Sequence, residues 1–173
     1  GGGVPGRGGA DKEGGKMGDR QWEGLKEGLA ARGKWLDPRL QLVEDLGEVW
    51  GGLADKGTAV VVHIDANLPV RRGDCKDNMQ RKEWDALTEQ LKAADMVCLS
   101  EKVWGRKGGM WSYKGVAKGG EEIRTWIDWV CVSRRLWEDG VVENCWITEP
   151  IAGSDHRVVV MDLNLQGVLG EIG

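Results

Sequence analysis

The chain has 173 residues, of which 30% are charged and 40% apolar, and carries a formal charge of −4 at pH 7. That balance suits one globular domain and excludes both a disordered polyelectrolyte and a membrane-embedded chain. The longest purely apolar runs are of the Ala59-Val60-Val61-Val62 kind, far short of the roughly 20 residues that cross a bilayer. Residues 1–18 hold nine glycines and, among larger apolar side chains, only Val4 and Met17, so they are expected to form a flexible tail that cannot offset its ordering entropy. From Asp19 the pattern changes. Trp22, Leu25 and Leu29 recur at helical spacing, and after Pro38 a stripe of Leu42, Val43, Leu46, Val49, Trp50 and Leu53 predicts an amphipathic helix. Gly51-Gly52 and Lys56-Gly57 read as stop and turn signals, and Thr58 to His63 as a short buried strand.

Asn78 to Ala94 predicts a second long helix with Trp84, Leu87 and Leu91 on one face and Asp77 as its cap. Met96 to Leu99 reads as a strand, and Gly105 to Gly120 as a loop with an extended piece at Met110-Trp111-Ser112-Tyr113. Thr125 to Val132 is the best strand pattern: Thr125, Ile127, Trp129 and Cys131 alternate with Trp126, Asp128, Val130 and Val132, leaving Asp128 as one buried charge on an apolar face. Ser133 is placed to cap a short turn through Trp137. Val141 to Ile147 and Arg157 to Leu165 complete the strands. A layered α/β (α+β) domain over residues 19–165 follows, with 166–173 as a second tail.

Three clusters place polar groups where strands end. In Asp65-Ala66-Asn67 strand parity puts a carboxylate and an amide on one side, though an Asx turn closing the strand explains the same residues equally well. Asp128 needs a cation or donors to offset the cost of burial. In Ser154-Asp155-His156 one of only two histidines adjoins an acid just before a strand. Between Lys102 and Lys118 five basic residues (Lys102, Arg106, Lys107, Lys114, Lys118) alternate with Trp104, Trp111 and Tyr113 without an acid. Such a loop is a candidate nucleic-acid contact through phosphate neutralisation and base stacking. The favoured alternative is a solvated loop whose tryptophans pack inward, since a pI near 5.3 gives no general attraction to a polyanion. Cys75, Cys98, Cys131 and Cys145 form no CxxC pair or metal-finger spacing, so they are expected to be structural, as is His63, in a reduced intracellular setting, nuclear or cytoplasmic.

In order and spacing these clusters resemble the C-terminal half of the endonuclease/exonuclease/phosphatase (DNase I-like) superfamily, closest in type to its retroelement and apurinic endonucleases. The family's Gly-Asp-Phe-Asn motif is matched by Ile64-Asp65-Ala66-Asn67, its Ile-Asp-Tyr strand by Trp126-Ile127-Asp128-Trp129-Val130-Cys131-Val132-Ser133, and its Ser-Asp-His by Ser154-Asp155-His156-Arg157. The resemblance implies part of a four-layered α/β/β/α sandwich and a phosphodiester hydrolase of endonuclease type. It implies that His156 acts on the scissile phosphate with Asp128 holding its imidazole, that Asp65 positions or deprotonates the attacking water, and that Asn67 donates to a phosphate oxygen. Asp155 would lie near a magnesium or manganese ion, and nucleic acid, with DNA favoured, would be the substrate. Ile64 stands where the family has glycine. The family's first half, with an asparagine and a metal-binding glutamate, has no counterpart before Asp19. The chain begins with Gly rather than Met, so an incomplete domain is expected, one that binds metal poorly, hydrolyses little and tends to self-associate. Two other readings stand beside the nuclease: a non-catalytic remnant serving as a nucleic-acid-binding or assembly module, and a phosphatase of the same superfamily.

Overall fold

The computed structural model describes residues 22–33, 37–102, 110–117 and 119–166. The glycine-rich segment 1–18, Trp104, Arg106, Lys107, Lys118 and residues 167–173 of the expected second tail lie outside the described residues. The chain divides into two units, Gly1–Leu42 and Val43–Gly173. In the first, residues 22–31 are helical (α1), ending at Gly33 in the left-handed region, and the Arg39 guanidinium stands 5.9 Å from the centre of the Trp22 ring. Helix α2, Pro38–Asp55, starts in this unit. Proline occupies its first turn, where no N–H is needed, and the Asp37 carboxylate accepts from the Arg39 N–H at 2.9 Å.

Within the second unit α2 buries Val43 and Trp50 and half-buries Leu46 and Leu53, whereas Val49 is 58% exposed, as is Leu42, the last residue of the first unit, at 56%. The expected stripe is thus narrower than the sequence suggested. Gly51-Gly52 does not stop the helix: each costs about 1 kcal/mol against alanine, and the buried Trp50 and half-buried Leu53 on either side offset that. The stop is Gly57, at φ +67°. Its N–H donates to Ala54 O at 2.8 Å and that of Thr58 to Leu53 O at 3.0 Å, which closes the helix in a Schellman turn.

Three antiparallel sheets follow. Strands β1 (Val61–Asp65), β2 (Met96–Cys98) and β5 (Asp128–Ser133) form one sheet in the order β1-β5-β2. β3 (Tyr113–Val116) pairs with β4 (Glu122–Thr125), and β6 (Val142–Ile147) with β7 (Val159–Leu163). A 3-10 turn at Arg72–Asp74, helix α3 (Asn78–Ala93) and the short helices α4 (Leu99–Lys102) and α5 (Arg134–Glu138) connect them. β5 is the middle strand and separates two apolar clusters. Its Trp129 and Cys131 pack with Trp50, Leu87, Leu91 and Met96 on the helix side. Val130 and Val132 pack with Val97, Leu136, Cys145 and Ile147 on the side of β6 and β7. Helices, a three-stranded sheet and a second sheet therefore stack in layers, the mixed α/β arrangement the alternating pattern predicts.

Several local expectations are corrected. β1 is not buried: it lies at the sheet edge with Val61, His63 and Asp65 exposed. The single strand expected over Thr125 to Val132 is two, β4 and β5, broken at Trp126-Ile127, so Asp128 opens a strand instead of lying within one. The extended piece expected at Met110-Trp111-Ser112-Tyr113 lies further on, as β3. Ser133 makes no side-chain cap to α5; its hydroxyl accepts the Val60 N–H at 2.8 Å and fastens the end of β5 to the approach to β1. Among the described residues no helix is long and apolar enough to cross a membrane.

Helix α3 follows the sequence closely: Leu87 and Leu91 are buried, and the Asp77 carboxylate accepts from the Gln80 N–H at 2.8 Å. Replacing Asp77 with alanine removes that cap. A loss of about 1 kcal/mol is expected, which thermal unfolding should report as a Tm lower by roughly 2–4 °C.

Candidate active site

β1 and β5 pair antiparallel with Asp65 directly opposite Asp128. Backbone bonds extend the pairing past both strand ends: the Ala66 N–H donates to Ile127 O at 3.0 Å and the Val70 N–H to Trp126 O at 2.9 Å. The Trp129 indole N–H, deep in the core, also donates to Leu68 O at 2.9 Å. The loop carrying Asp65 and Asn67 is thereby held against the start of β5. Parity ends at Asp65, because Asn67 adopts φ +51° and its N–H donates to the Asp65 carboxylate at 3.1 Å. The segment is an Asx turn, and its aspartate still reaches the site.

The opposite wall comes from the last motif. His156 bridges to Tyr113, and their rings lie 5.1 Å apart at 60°. The Ser154 hydroxyl accepts from the His156 N–H at 3.1 Å and donates to His156 O at 2.8 Å, shaping the turn. The imidazole Nδ1 stands 3.1 Å from Asp128 Oδ2. An ionised carboxylate only accepts, so Nδ1 carries the proton and Nε2 is the free position. The side chains are 34% exposed for His156 and 21% for Asp128. The acid expected to be buried is thus only partly so, and part of the cost of its burial never arises.

One ligand atom each from Asp65, Asp128 and His156 lies within 4.8 Å of the others, making this a candidate cation site among the described residues. Two carboxylates at an open rim suit magnesium, which keeps several waters and takes one or two protein carboxylates. Asp155, expected to be a metal ligand, does not join this group. Asp155 lies at an exposed bend, and its main-chain carbonyl accepts the Lys114 N–H at 2.8 Å.

Ser112 is the residue the sequence did not reveal. It is fully buried, and its hydroxyl accepts from the N–H groups of Ile127 and Asp128 at 3.1 and 3.2 Å. Its own N–H donates to Thr125 O, and its carbonyl accepts the Arg157 N–H at 2.7 Å. A single serine thus ties the residue after His156 to the residue that holds His156. The sequence placed Ser112 in an extended piece but gave its side chain no role.

Beside the trio lies a groove of about 530 Å³ bordered by Asn67, Arg71, Tyr113, Arg124, Trp126 and Ile127. Of the basic loop, Lys102 is exposed. Lys114 pairs with Glu122 at 2.6 Å, and its hydrogen bond, followed by that of Arg124, holds the Glu122 carboxyl below the usual carboxylate range. Trp111 is half-buried, with the guanidiniums of Arg124 and Arg157 at 5.2 and 4.8 Å from its ring. Its ring is thus engaged by two cations.

No family model and no curated protein matches the sequence. Among solved structures the chain is similar to the endonuclease domain of TRAS1, a telomere-specific non-LTR retrotransposon, with a TM-score of 0.52 and 17% identity over 72% of this chain and 52% of that one. The chain therefore shares the mixed α/β fold of that endonuclease domain. The chain spans about half the length of the structure it matches.

Ser112→Ala leaves the Ile127 and Asp128 N–H groups without their acceptor. A loss of about 1–3 kcal/mol is expected in urea unfolding; an unchanged midpoint would show that the hydroxyl does not carry this junction.

Proposed function

We propose that this chain is the catalytic-motif portion of a metal-dependent, endonuclease-like phosphodiesterase acting on nucleic acid. The observation that carries the reading is the contact of His156 Nδ1 with Asp128 Oδ2 at 3.1 Å, with the Asp65 carboxylate in the same group. Asp128 fixes the tautomer, so that Nε2 can take a proton or, once protonated, donate to a phosphate oxygen. Asp65, exposed at the rim, accepts a proton from an attacking water or orients it. The Asn67 amide, at the edge of the groove, supplies a neutral donor for a non-bridging phosphate oxygen. Arg71 and Arg124 border the same groove and favour a polyanion there, in a chain whose net charge does not. A magnesium or manganese ion, held by the Asp65 and Asp128 carboxylates, would stabilise charge on the phosphoryl oxygens. DNA is the favoured substrate, as the similarity to a retrotransposon endonuclease domain suggests, and activity of this chain alone is expected to be low.

The test is nicking of supercoiled DNA in magnesium at high protein concentration. Wild-type chain should nick slowly and stop on chelation of the metal. His156→Ala should fall to background, and Asp128→Asn should lose about 10²–10⁴-fold, the scale of general acid–base assistance. Equal nicking by wild type and His156→Ala would remove the mechanism.

A further inference from the structure

We propose that Cys98 and Cys131 form a dithiol that peroxide closes into an intramolecular disulfide between β2 and β5. The two residues are direct partners in the antiparallel register. Opposed residues of such a pair have Cα atoms about 4.5–5.5 Å apart, inside the 4.4–6.8 Å that disulfides span. Both lie on the helix-facing side of the sheet, with Met96 and Trp129, and both are free thiols. β2 is an edge strand of its sheet, and Cys98 is only partly buried, whereas Cys131 is fully enclosed. An oxidant as small as hydrogen peroxide therefore meets Cys98 first.

The four cysteines are also unequal in reactivity. The Cys131 thiol, donating toward the Cys98 sulfur, holds the Cys98 thiol below the usual range, with help from the Glu101 and Ser100 N–H groups and against its own desolvation. Cys131 is held well above the usual range, chiefly by the same pairing. Burial pushes Cys145 up to about 11 and raises Cys75 as well. The thiolate is the nucleophile, so Cys98 attacks and Cys131 resolves. The Cys98 thiolate displaces hydroxide from the peroxide O–O bond, giving a sulfenic acid. Cys131, giving up its proton, then attacks that sulfur and expels the hydroxyl, which leaves as water. The sum is two thiols and one peroxide to one disulfide and two waters.

The experiment titrates the reduced full chain, freed of reductant, with hydrogen peroxide, alkylates the remaining thiols and maps the peptides by mass spectrometry without reduction. The expected first product is a Cys98–Cys131 linked peptide with Cys75 and Cys145 still alkylated, independent of protein concentration and reversed by dithiothreitol. In Cys131→Ala the Cys98 sulfenic acid should persist and be trapped by a cyclic 1,3-diketone. Linkage through Cys75 or Cys145, oxidation of Cys98 beyond the sulfenic state while Cys131 remains a thiol, or no loss of either thiol would each overturn the proposal. The wild-type map decides the matter even if the variant fails to fold.

Discussion

The candidate site depends on one buried serine. Ser112 is bonded by its side chain to the start of β5, by its N–H to the end of β4 and by its carbonyl to the residue after His156. Asp128 and His156 come from segments that share no strand pairing with each other, so their 3.1 Å contact exists because both are fastened to the same residue. Buried backbone groups must find partners. Here the partners that satisfy them also set the geometry of the dyad, so fold stability and site geometry rest on the same few bonds.

The β1–β5 register does the rest. It sets Asp65 across from Asp128, a placement that like charges disfavour. The fold tolerates it at the exposed end of the ladder, where water and the His156 ring are at hand. A like-charged pair of this kind contributes little to holding the chain together. Arg124 illustrates the competition between roles on the neighbouring wall: it serves Glu122, the Trp111 ring and the groove at once.

Much of this was legible in the residues. Periodicity placed α2 and α3, Asp77 announced its cap, and the three short motifs named the residues that meet as Asp65, Asp128 and His156. What the sequence concealed follows from non-local physics. The break at Trp126-Ile127 is invisible because both residues continue an apolar alternation, yet their backbones are bonded to different partners from those of β5. The exposure of β1 depends on which strands flank it, and alternation alone carries no such information. Gly51-Gly52 reads as a stop because propensity is local, while the burial of Trp50 and Leu53 that outweighs it is tertiary. Ser112 was unreadable because its importance lies in bonds to residues 15 and 16 positions away. Asp155 lies at a bend outside the trio, and adjacency to His156 along the chain does not by itself bring a side chain into the same group.

The bond that fastens Val60 to Ser133 joins residues 73 positions apart, and the whole β1–β5 ladder closes a loop of comparable size. Contacts this distant carry their chain-entropy cost before they return any energy, and they slow assembly. The helices can form early from local sequence, but the Asp65–Asp128 juxtaposition cannot precede closure of that loop. The geometry of the Asp65–Asp128–His156 group is thus among the last things the chain acquires as it folds, and a collapsed, helix-rich state would carry all three residues without bringing them together.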